Sequence, residues 1–368
     1  MIKVKLFQGH VLDCLKKIPD NSVDCIITSP PYWSLRKYPD SANIQWEDGW
    51  FGQLGLEPTL DMYIEHLLQI TEELKRVLKP TGVMFWNHGD CYIGGGHGGN
   101  TYYELNGKLL KDKKYGEGRN YVPQIDWKPI KLPPKCMAMQ NYRLILRMVD
   151  EQGWILRNII IWHKPNHMPE SVKDRFTKAY EPIFMLVKKK RYWFNLDAVR
   201  EPIKTDPDRI QFNYRVREAK KGHFEILGVK ASKEEMEKYD RQGRKLTKHD
   251  IAVGRIGNFS YSDPLHTKPN HPLGKNPGDV WKIPTQPFPE AHFATFPEAL
   301  VRRCIKCACP ENGWVLDPFV GSGTTIKVAI EERRNCIGIE IVPEYIKMAM
   351  RRCNLPNPFI DLELIEVK

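Results

Sequence analysis

The chain has 368 residues, of which 41% are hydrophobic and 27% charged, a composition that excludes collagen-like, wholly disordered and disulfide-scaffold proteins. No apolar run approaches the roughly 20 residues that a membrane-spanning helix needs. The 56 Lys and Arg residues outnumber the 45 Asp and Glu residues, giving a net charge of +11. This excess favours a polyanionic partner, most commonly nucleic acid, although a basic surface that only faces solvent is the alternative.

The first ninety residues predict a β–α–β rhythm. Residues 23–28 form an apolar, β-branched run typical of a strand buried on both faces. Residues 60–78 follow as an amphipathic helix, which the Lys-Pro-Thr-Gly segment at 79–82 ends, and residues 83–87 form the next strand. This alternation indicates a mostly parallel sheet with helices on both faces.

Residues 89–135 interrupt this rhythm and predict a long loop or small insertion. A helix over 137–151 and strands over 154–163 and 180–188 then resume it. Residues 200–260 are polar and poorly periodic, with 15 Lys and Arg against 10 Asp and Glu, which indicates a separate module or insertion.

Residues 268–290 are rich in proline, and we predict an extended connector there rather than part of the core. The last ninety residues return to alternating helices and strands. The first of these helices is predicted over 297–309.

The nine cysteines are scattered and odd in number, which argues against a disulfide framework and for a reducing compartment. Cys304, Cys307 and Cys309 fall on the predicted 297–309 helix, without a histidine pair to complete a tetrahedral metal site. We interpret them as buried thiols and expect no metal. Residues 1–7 alternate like a strand and lack a secretory signal, so we expect a cytoplasmic protein.

A glycine-bearing turn follows a predicted short strand that ends at Asp317. Residues 313–325 read Gly-Trp-Val-Leu-Asp-Pro-Phe-Val-Gly-Ser-Gly-Thr-Thr. Glycines there let a ligand approach backbone amides at the carboxyl ends of the strands. The next strand ends in Glu340, a carboxylate well placed to hold ribose hydroxyls. The pattern predicts a nucleoside-type cofactor, although not a nicotinamide, because the spacing departs from G-x-G-x-x-G; a tight turn without a ligand is the alternative.

Residues 28–33 read Thr-Ser-Pro-Pro-Tyr-Trp directly after a predicted strand. Two consecutive prolines fix φ and remove two N–H donors, so the strand ladder cannot continue. The result is a rigid turn that presents a hydroxyl, carbonyl acceptors and an aromatic ring. Such a turn can stack on an extruded base and accept hydrogen bonds from its amine. Taken alone, the motif would be interpreted as a turn whose aromatic residues pack inward.

Together, the Asp-Pro-Phe-Val-Gly-Ser-Gly-Thr-Thr and Thr-Ser-Pro-Pro-Tyr-Trp segments resemble the cofactor and catalytic motifs of S-adenosylmethionine-dependent DNA amino-methyltransferases. The Ser-Pro-Pro-Tyr form is similar to the N4-cytosine group, whereas the N6-adenine enzymes more often begin this motif with Asp. The catalytic motif precedes the cofactor motif, an order that resembles the β class. The resemblance implies an α/β, Rossmann-like methyltransferase fold with a mostly parallel sheet, a circularly permuted motif order and an inserted target-recognition module.

The resemblance also implies a division of the chain. Residues 1–199 would form the catalytic part, with a loop insertion at about 89–135, and residues 276–368 the cofactor-binding part. Residues 200–275 would form the target-recognition module, with the loop at 100–131 as a second candidate for contacting DNA. Arginine pairs bidentately with guanine in the major groove, which makes these arginines candidates for base readout: Arg209, Arg215, Arg217, Arg241, Arg244 and Arg255.

Further segments resemble the family's other motifs, namely residues 162–171, 180–184 and 291–297. The chain departs from the family after Phe-Gln-Gly at residues 7–9, where it has His10 and the family usually has Asp. Asp13 is the nearest carboxylate that could replace that Asp.

The resemblance implies these site residues. The catalytic set is Ser29, Pro30, Pro31 and Tyr32, and the cofactor-binding set is Asp317, Phe319, Gly321, Ser322, Gly323, Thr324 and Glu340. Ser29 and the Pro30 carbonyl would accept hydrogen bonds from the target amine, and Tyr32 would stack on the base.

The implied activity is transfer of a methyl group from S-adenosylmethionine to cytosine N4 of a base flipped out of duplex DNA, at a specific site. A cognate restriction endonuclease is an expected partner, and we expect a nucleoid-associated monomer or homodimer that does not contact membranes. Two alternatives remain: an N6-adenine methyltransferase on DNA or RNA, and a non-catalytic nucleic-acid-binding protein with the same fold.

Overall fold

The computed structural model describes residues 1–93, 132–202, 273–286 and 296–367, together with four short strands in the intervening segments. The strands are β1 (Ile2–Gln8), β2 (Val23–Thr28), β3 (Ile44–Gln45), β4 (Phe51–Gly52), β5 (Leu78–Asn87), β6 (Tyr103–Leu105), β7 (Lys108–Leu110), β8 (Ile155–His163), β9 (Tyr180–Val187), β10 (Phe224–Ile226), β11 (Val229–Ala231), β12 (Val280–Lys282), β13 (Trp314–Asp317), β14 (Asn335–Glu340) and β15 (Ile360–Glu366). The described helices are α1 (Val11–Leu15), α2 (Leu60–Val77), α3 (Gln140–Asp150), α4 (Glu298–Ala308), α5 (Thr324–Glu331) and α6 (Pro343–Arg352).

One large sheet carries the fold. Nine strands lie in the order β12-β8-β9-β5-β2-β13-β14-β1-β15. Only β9 runs against the other strands of this sheet, pairing antiparallel with both β5 and β8. The predicted α/β fold with a mostly parallel sheet is therefore confirmed, and the strands of both motifs, β2 and β13, are neighbours at its centre.

Helices cover both faces of the sheet, because its central strands are apolar on both sides. All six residues of β2 are buried, as predicted. Ile26 belongs to the hydrophobic cluster that includes residues of α1, α2 and α3. Its neighbour Ile27 faces the other way, into the cluster formed with α4 and α5. The thiols of Cys304, Cys307 and Cys309 lie in this second cluster, so they are buried as predicted.

The junction between α2 and β5 differs from the prediction. The helix begins at Leu60, and the side-chain oxygen of the N-cap residue Thr59 accepts a hydrogen bond from the Met62 amide. It ends at Val77, and Leu78 is already extended and starts β5. The strand thus includes the Lys-Pro-Thr-Gly segment, which was predicted to end the helix ahead of a strand over 83–87, because Leu78 pairs with Val23 across a register shift.

The proline-rich segment also differs from the prediction. Within residues 268–290, β12 joins the edge of the sheet and pairs in parallel with β8. Trp281 and Ile283 are buried in the core. The prediction of a connector outside the core was wrong here, because an edge strand needs hydrogen bonds on one side only and tolerates flanking prolines.

The chain divides into two compact units. The first, Met1–Val199 with Pro277–Lys368, contains the nine-stranded sheet. In the second, Arg200–Asn276, β10 and β11 form an antiparallel hairpin, and Glu201 pairs with Lys275 where the segment starts and ends. Most of residues 100–131, the six arginines and most of residues 291–297 lie outside the described residues, and what was predicted for them stays a prediction. None of the helices in the described ranges is long and apolar enough to cross a membrane.

Candidate active site

A cavity of about 520 Å³ opens in the first unit, where the carboxyl ends of the parallel strands meet. Both sequence motifs contribute to its wall. Ser29, Pro30, Pro31 and Tyr32 line one part of it, directly after β2. Phe319, Gly321 and Glu340 line another part, after β13 and at the end of β14. Because β2 and β13 are adjacent in the sheet, segments almost 290 residues apart share one cavity.

Asp317 joins the two motifs. Its carboxylate accepts hydrogen bonds from Thr28 Oγ1 at 2.9 Å, from Thr325 Oγ1 at 2.6 Å and from the Phe319 amide at 3.1 Å. The side chain is buried and does not line the cavity. Asp317 therefore holds β2, the turn after β13 and the start of α5 together.

Glu340 lies at the cavity wall and supports the glycine turn. One carboxylate oxygen accepts a hydrogen bond from the Gly321 amide at 2.9 Å, and the other accepts one from the Val342 amide, also at 2.9 Å. Each oxygen has further lone pairs, so the carboxylate can also accept hydrogen bonds from a ligand's hydroxyl groups.

Three other predicted cofactor residues point away from the cavity. Arg352 Nη1 donates hydrogen bonds to Ser322 Oγ at 2.8 Å and to Thr324 Oγ1 at 2.7 Å. Gly323 has φ +83°, and a Cβ atom there would lie 2.8 Å from Ala349 Cβ. The structure thus places Ser322, Gly323 and Thr324 against α6, where they allow α5 and α6 to pack closely.

Burial raises the pKa of both site carboxylates, to about 6 for Asp317 and about 7 for Glu340. A raised folded-state pKa favours the protonated form, so its stabilising contribution is present at low pH and is lost as the pH rises through that value. We expect the free energy of unfolding of the cofactor-free protein, relative to a Glu340→Gln variant, to fall between about pH 4 and pH 8. The fall is at most about 3.5 kcal/mol, since the pKa of Glu340 rises from 4.5 to about 7 and one pKa unit corresponds to about 1.4 kcal/mol. Urea unfolding of both proteins across this range measures it, and parallel curves would contradict it.

The catalytic motif is connected to the far side of the cavity by hydrogen bonds. Ser29 Oγ donates to Tyr32 Oη at 3.1 Å, and Tyr32 Oη donates to Glu181 Oε2 at 3.2 Å. Asn87 Oδ1 is a second acceptor near the phenol, at 3.5 Å. Burial, reinforced by the Glu181 charge, holds the pKa of Tyr32 well above its ordinary value, so the side chain remains a phenol.

Three further side chains line the cavity that were not among the predicted site residues: Asn87, Lys164 and Glu181. Asn87 ends β5, Lys164 follows β8, and Glu181 is the second residue of β9. Because β9 runs against the other strands, its start lies at the same edge as their carboxyl ends. Lys164 forms an ion pair with Glu181 and lies over the Trp162 ring, with Nζ 4.2 Å from the ring centroid. The sequence signal that could have identified Lys164 and Glu181 is the resemblance of residues 162–171 and 180–184 to motifs of the family.

His10, where the family usually has Asp, also lines the cavity. Burial lowers the pKa of its imidazole to about 4, so it is neutral near pH 7. Its ring lies edge-on to Trp46, with the centroids 5.1 Å apart. Asp13 approaches His10 Nδ1 at 3.7 Å but does not itself line the cavity.

The chemistry of the cavity fits a nucleoside-containing methyl donor beside a planar base. The part near β13 and β14 offers an aromatic ring, Phe319, and a buried carboxylate, Glu340, which suit an adenine and its ribose hydroxyls. The part near β2 offers a hydroxyl, proline carbonyls and the Tyr32 ring, which suit a base carrying an amine.

The known proteins to which this chain is similar are described as DNA methylases or methyltransferases. A family model described as DNA methylase matches residues 23–351. The type II methyltransferase M.Cfr9I of Citrobacter freundii is 34% identical over 347 residues, covering 94% of this chain and 86% of the relative. The type II methyltransferase M.SfiI of Streptomyces fimbriatus is 31% identical over 407 residues, covering 93% of this chain and 89% of the relative. The solved structure of the cytosine-N4-specific PvuII DNA methyltransferase shares the fold with a TM-score of 0.56 and 17% identity, covering 97% of this chain and 87% of that chain.

Proposed function

Because the chain belongs to the DNA methylase family and uses S-adenosylmethionine as methyl donor, we propose that it methylates cytosine N4 at a specific site in duplex DNA. The observation that carries the choice of base is Ser29, which opens the catalytic motif at the cavity wall. Its hydroxyl proton is engaged by Tyr32, so the Ser29 oxygen presents its lone pairs as an acceptor.

The target amine is a poor nucleophile, because its lone pair is delocalised into the base. Hydrogen bonds from the amine to Ser29 Oγ and the Pro30 carbonyl localise that lone pair on nitrogen, and Tyr32 stacks on the flipped base. S-adenosylmethionine supplies an electrophilic methyl group when bound. Catalysis by these residues then consists mainly of positioning and electrostatic stabilisation.

The same residues offer a path for the proton that the methylated amine must lose. Ser29 Oγ accepts this proton while its own proton passes to Tyr32 Oη, and the phenol proton passes to Glu181 Oε2. Each oxygen in the path gains one proton as it releases another, except the Glu181 carboxylate, which ends protonated. Lys164 forms an ion pair with that carboxylate, at the end of the path.

The proposed activity is tested by expressing the chain in a host without DNA methylation and sequencing the host DNA directly for modified bases. We expect a modified cytosine in one short recurring sequence, and a strongly reduced fraction of modified sites in cells that express a Tyr32→Ala variant. Modified adenines would replace the cytosine assignment with the N6-adenine alternative. Unmodified DNA from cells with soluble wild-type protein would contradict the proposed activity.

For the second unit, Arg200–Asn276, we propose recognition of the target sequence. Residues 200–260 carry 15 basic and 10 acidic residues, and the segment interrupts the α/β rhythm where the family resemblance implies a recognition module. A cognate restriction endonuclease that cuts the same sequence is the proposed partner.

Exchanging residues 200–260 for the equivalent stretch of a relative with a different target should move the methylated site to the relative's sequence. The affinity for S-adenosylmethionine should remain unchanged, because the cavity lies in the first unit. Mapping modified bases and measuring cofactor binding by calorimetry test both points. A chimera that still methylates the original site would assign recognition to another segment, with residues 100–131 as the next candidate.

A further inference from the structure

Behind the catalytic turn, three buried side chains form a chain of hydrogen bonds that ends on the turn itself. Trp86 Nε1 lies 3.3 Å from His88 Nδ1, and His88 Nε2 lies 3.1 Å from Tyr63 Oη. Tyr63 Oη in turn donates to the Pro31 carbonyl at 2.7 Å. Trp86, His88 and Tyr63 are each fully buried, and none of them lines the cavity.

The chemistry of the four groups fixes the direction of every bond in this chain. An indole N–H can only donate, so His88 Nδ1 must accept and carries no proton. The imidazole proton is therefore on Nε2 and is donated to Tyr63 Oη, whose own proton is left for the Pro31 carbonyl. Burial lowers the pKa of His88 to about 3, so the imidazole stays neutral and the order of donors persists at any working pH.

The backbone of His88 is itself held in place. Asn141 Nδ2 donates to the His88 carbonyl at 2.9 Å, and the His88 amide donates to the Pro182 carbonyl at 3.3 Å. The next residue, Gly89, is so close to the catalytic tyrosine that a Cβ atom there would lie 2.6 Å from the Tyr32 ring. The residues directly after β5 are thus held in place by hydrogen bonds and pack against the catalytic motif.

A turn with two consecutive prolines has few backbone groups that neighbouring side chains can hold by hydrogen bonds. Neither Pro30 nor Pro31 has an N–H group, so a polar neighbour can hold their backbone only through the two carbonyls. Tyr63 takes the Pro31 carbonyl, whereas none of the residues with described positions donates to the Pro30 carbonyl. The hydrogen bond from Tyr63 therefore makes the Pro31 carbonyl different from the chemically identical Pro30 carbonyl, which no described residue engages.

We propose that Tyr63 and His88 are positioning residues for methyl transfer, which turn the Pro31 carbonyl toward the core and thereby keep the Pro30 carbonyl aimed at the target amine. This inference rests on the proposed catalytic role of the turn from Ser29 to Tyr32. It applies equally to a cytosine and an adenine amine, because both present the same N–H groups.

The test is the single-turnover methylation rate of a Tyr63→Phe variant with saturating DNA and S-adenosylmethionine. Removing the hydroxyl frees the Pro31 carbonyl, and we expect the rate to fall about 10- to 100-fold, the scale on which small misplacements of a catalytic group act. The dissociation constants for cofactor and DNA should stay within about twofold. A Tyr142→Phe variant on α3 is the matched control, because it removes a phenol hydroxyl that takes no part in the hydrogen bonds from Trp86 to Pro31. This variant should keep the wild-type rate.

Variants of His88 make the test specific for the direction of the bonds. The His88→Gln side chain can still donate an N–H to Tyr63, so this variant should retain more activity than His88→Leu. The double variant Tyr63→Phe/His88→Leu should be no slower than the slower of the two single variants, because both substitutions break the same series of hydrogen bonds. A wild-type rate for Tyr63→Phe would overturn the inference, as would rate losses that only match losses of cofactor affinity. A wild-type protein without methylation activity would instead overturn the proposed function.

Discussion

Replacing Tyr32 with alanine should lower the methylation rate about 10- to 100-fold while leaving the affinity for S-adenosylmethionine nearly unchanged. Stacking of a base on an aromatic side chain contributes about 1–3 kcal/mol, and every 1.4 kcal/mol is a factor of about ten. The substitution should affect the methylation rate rather than the cofactor affinity, because Tyr32 lies on the β2 side of the cavity, within hydrogen-bonding distance of Ser29 and Glu181.

A Tyr32→Phe variant separates the two contributions of this side chain. It keeps the ring for stacking but removes the hydroxyl that joins Ser29 to Glu181. We expect its DNA affinity to match the wild type and its single-turnover rate to be reduced. Comparable losses of rate and cofactor affinity in Tyr32→Ala would mean that Tyr32 is not the residue that stacks on the base.

Replacing Glu340 with glutamine should raise the dissociation constant for S-adenosylmethionine about 10- to 100-fold at about pH 8, where the Glu340 carboxylate is mostly ionised, because hydrogen bonds to a charged group contribute about 1.5–3 kcal/mol. The amide can replace one acceptor oxygen but not both, so it disturbs the Gly321 turn as well as the proposed ribose contact. Calorimetric titration measures the effect. Glu363→Gln is the control, since that exposed carboxylate pairs with Lys5 outside the cavity.

Asp317→Asn should also weaken cofactor binding, but through the fold. Its carboxylate accepts from Thr28, Thr325 and the Phe319 amide, so the substitution should lower the free energy of unfolding as well as the affinity. Unchanged dissociation constants for both Glu340→Gln and Asp317→Asn would contradict the proposed cofactor pocket.

The sequence was sufficient to predict the elements whose signals are local. The six-residue apolar run of β2 and the glycine turn after β13 each determine their own conformation, and the α/β alternation then predicts where their carboxyl ends meet. The contact between the two motifs through Thr28 and Asp317 depends in addition on β2 and β13 being neighbours in the sheet, which was not predicted.

The remaining features depend on contacts between distant segments, which no local pattern encodes. β12 is a strand only because β8 offers it a free edge, and Leu78 is extended only because Val23 pairs with it. Glu181 reaches the cavity because β9 runs against its neighbours, a direction that its sequence does not reveal. Position within a motif is also a poor guide to orientation, since Ser322 and Thr324 contact Arg352 rather than the cavity.

The measurement that tests the choice of base most directly is mass spectrometry of nucleosides, after duplex DNA has been methylated by the purified protein and digested completely. The Ser29 hydroxyl at the start of the catalytic motif predicts N4-methylcytosine as the product, in an amount that depends on added S-adenosylmethionine. The product should be strongly reduced with the Tyr32→Ala variant. N6-methyladenine as the sole modified nucleoside would contradict the assignment of cytosine as the target.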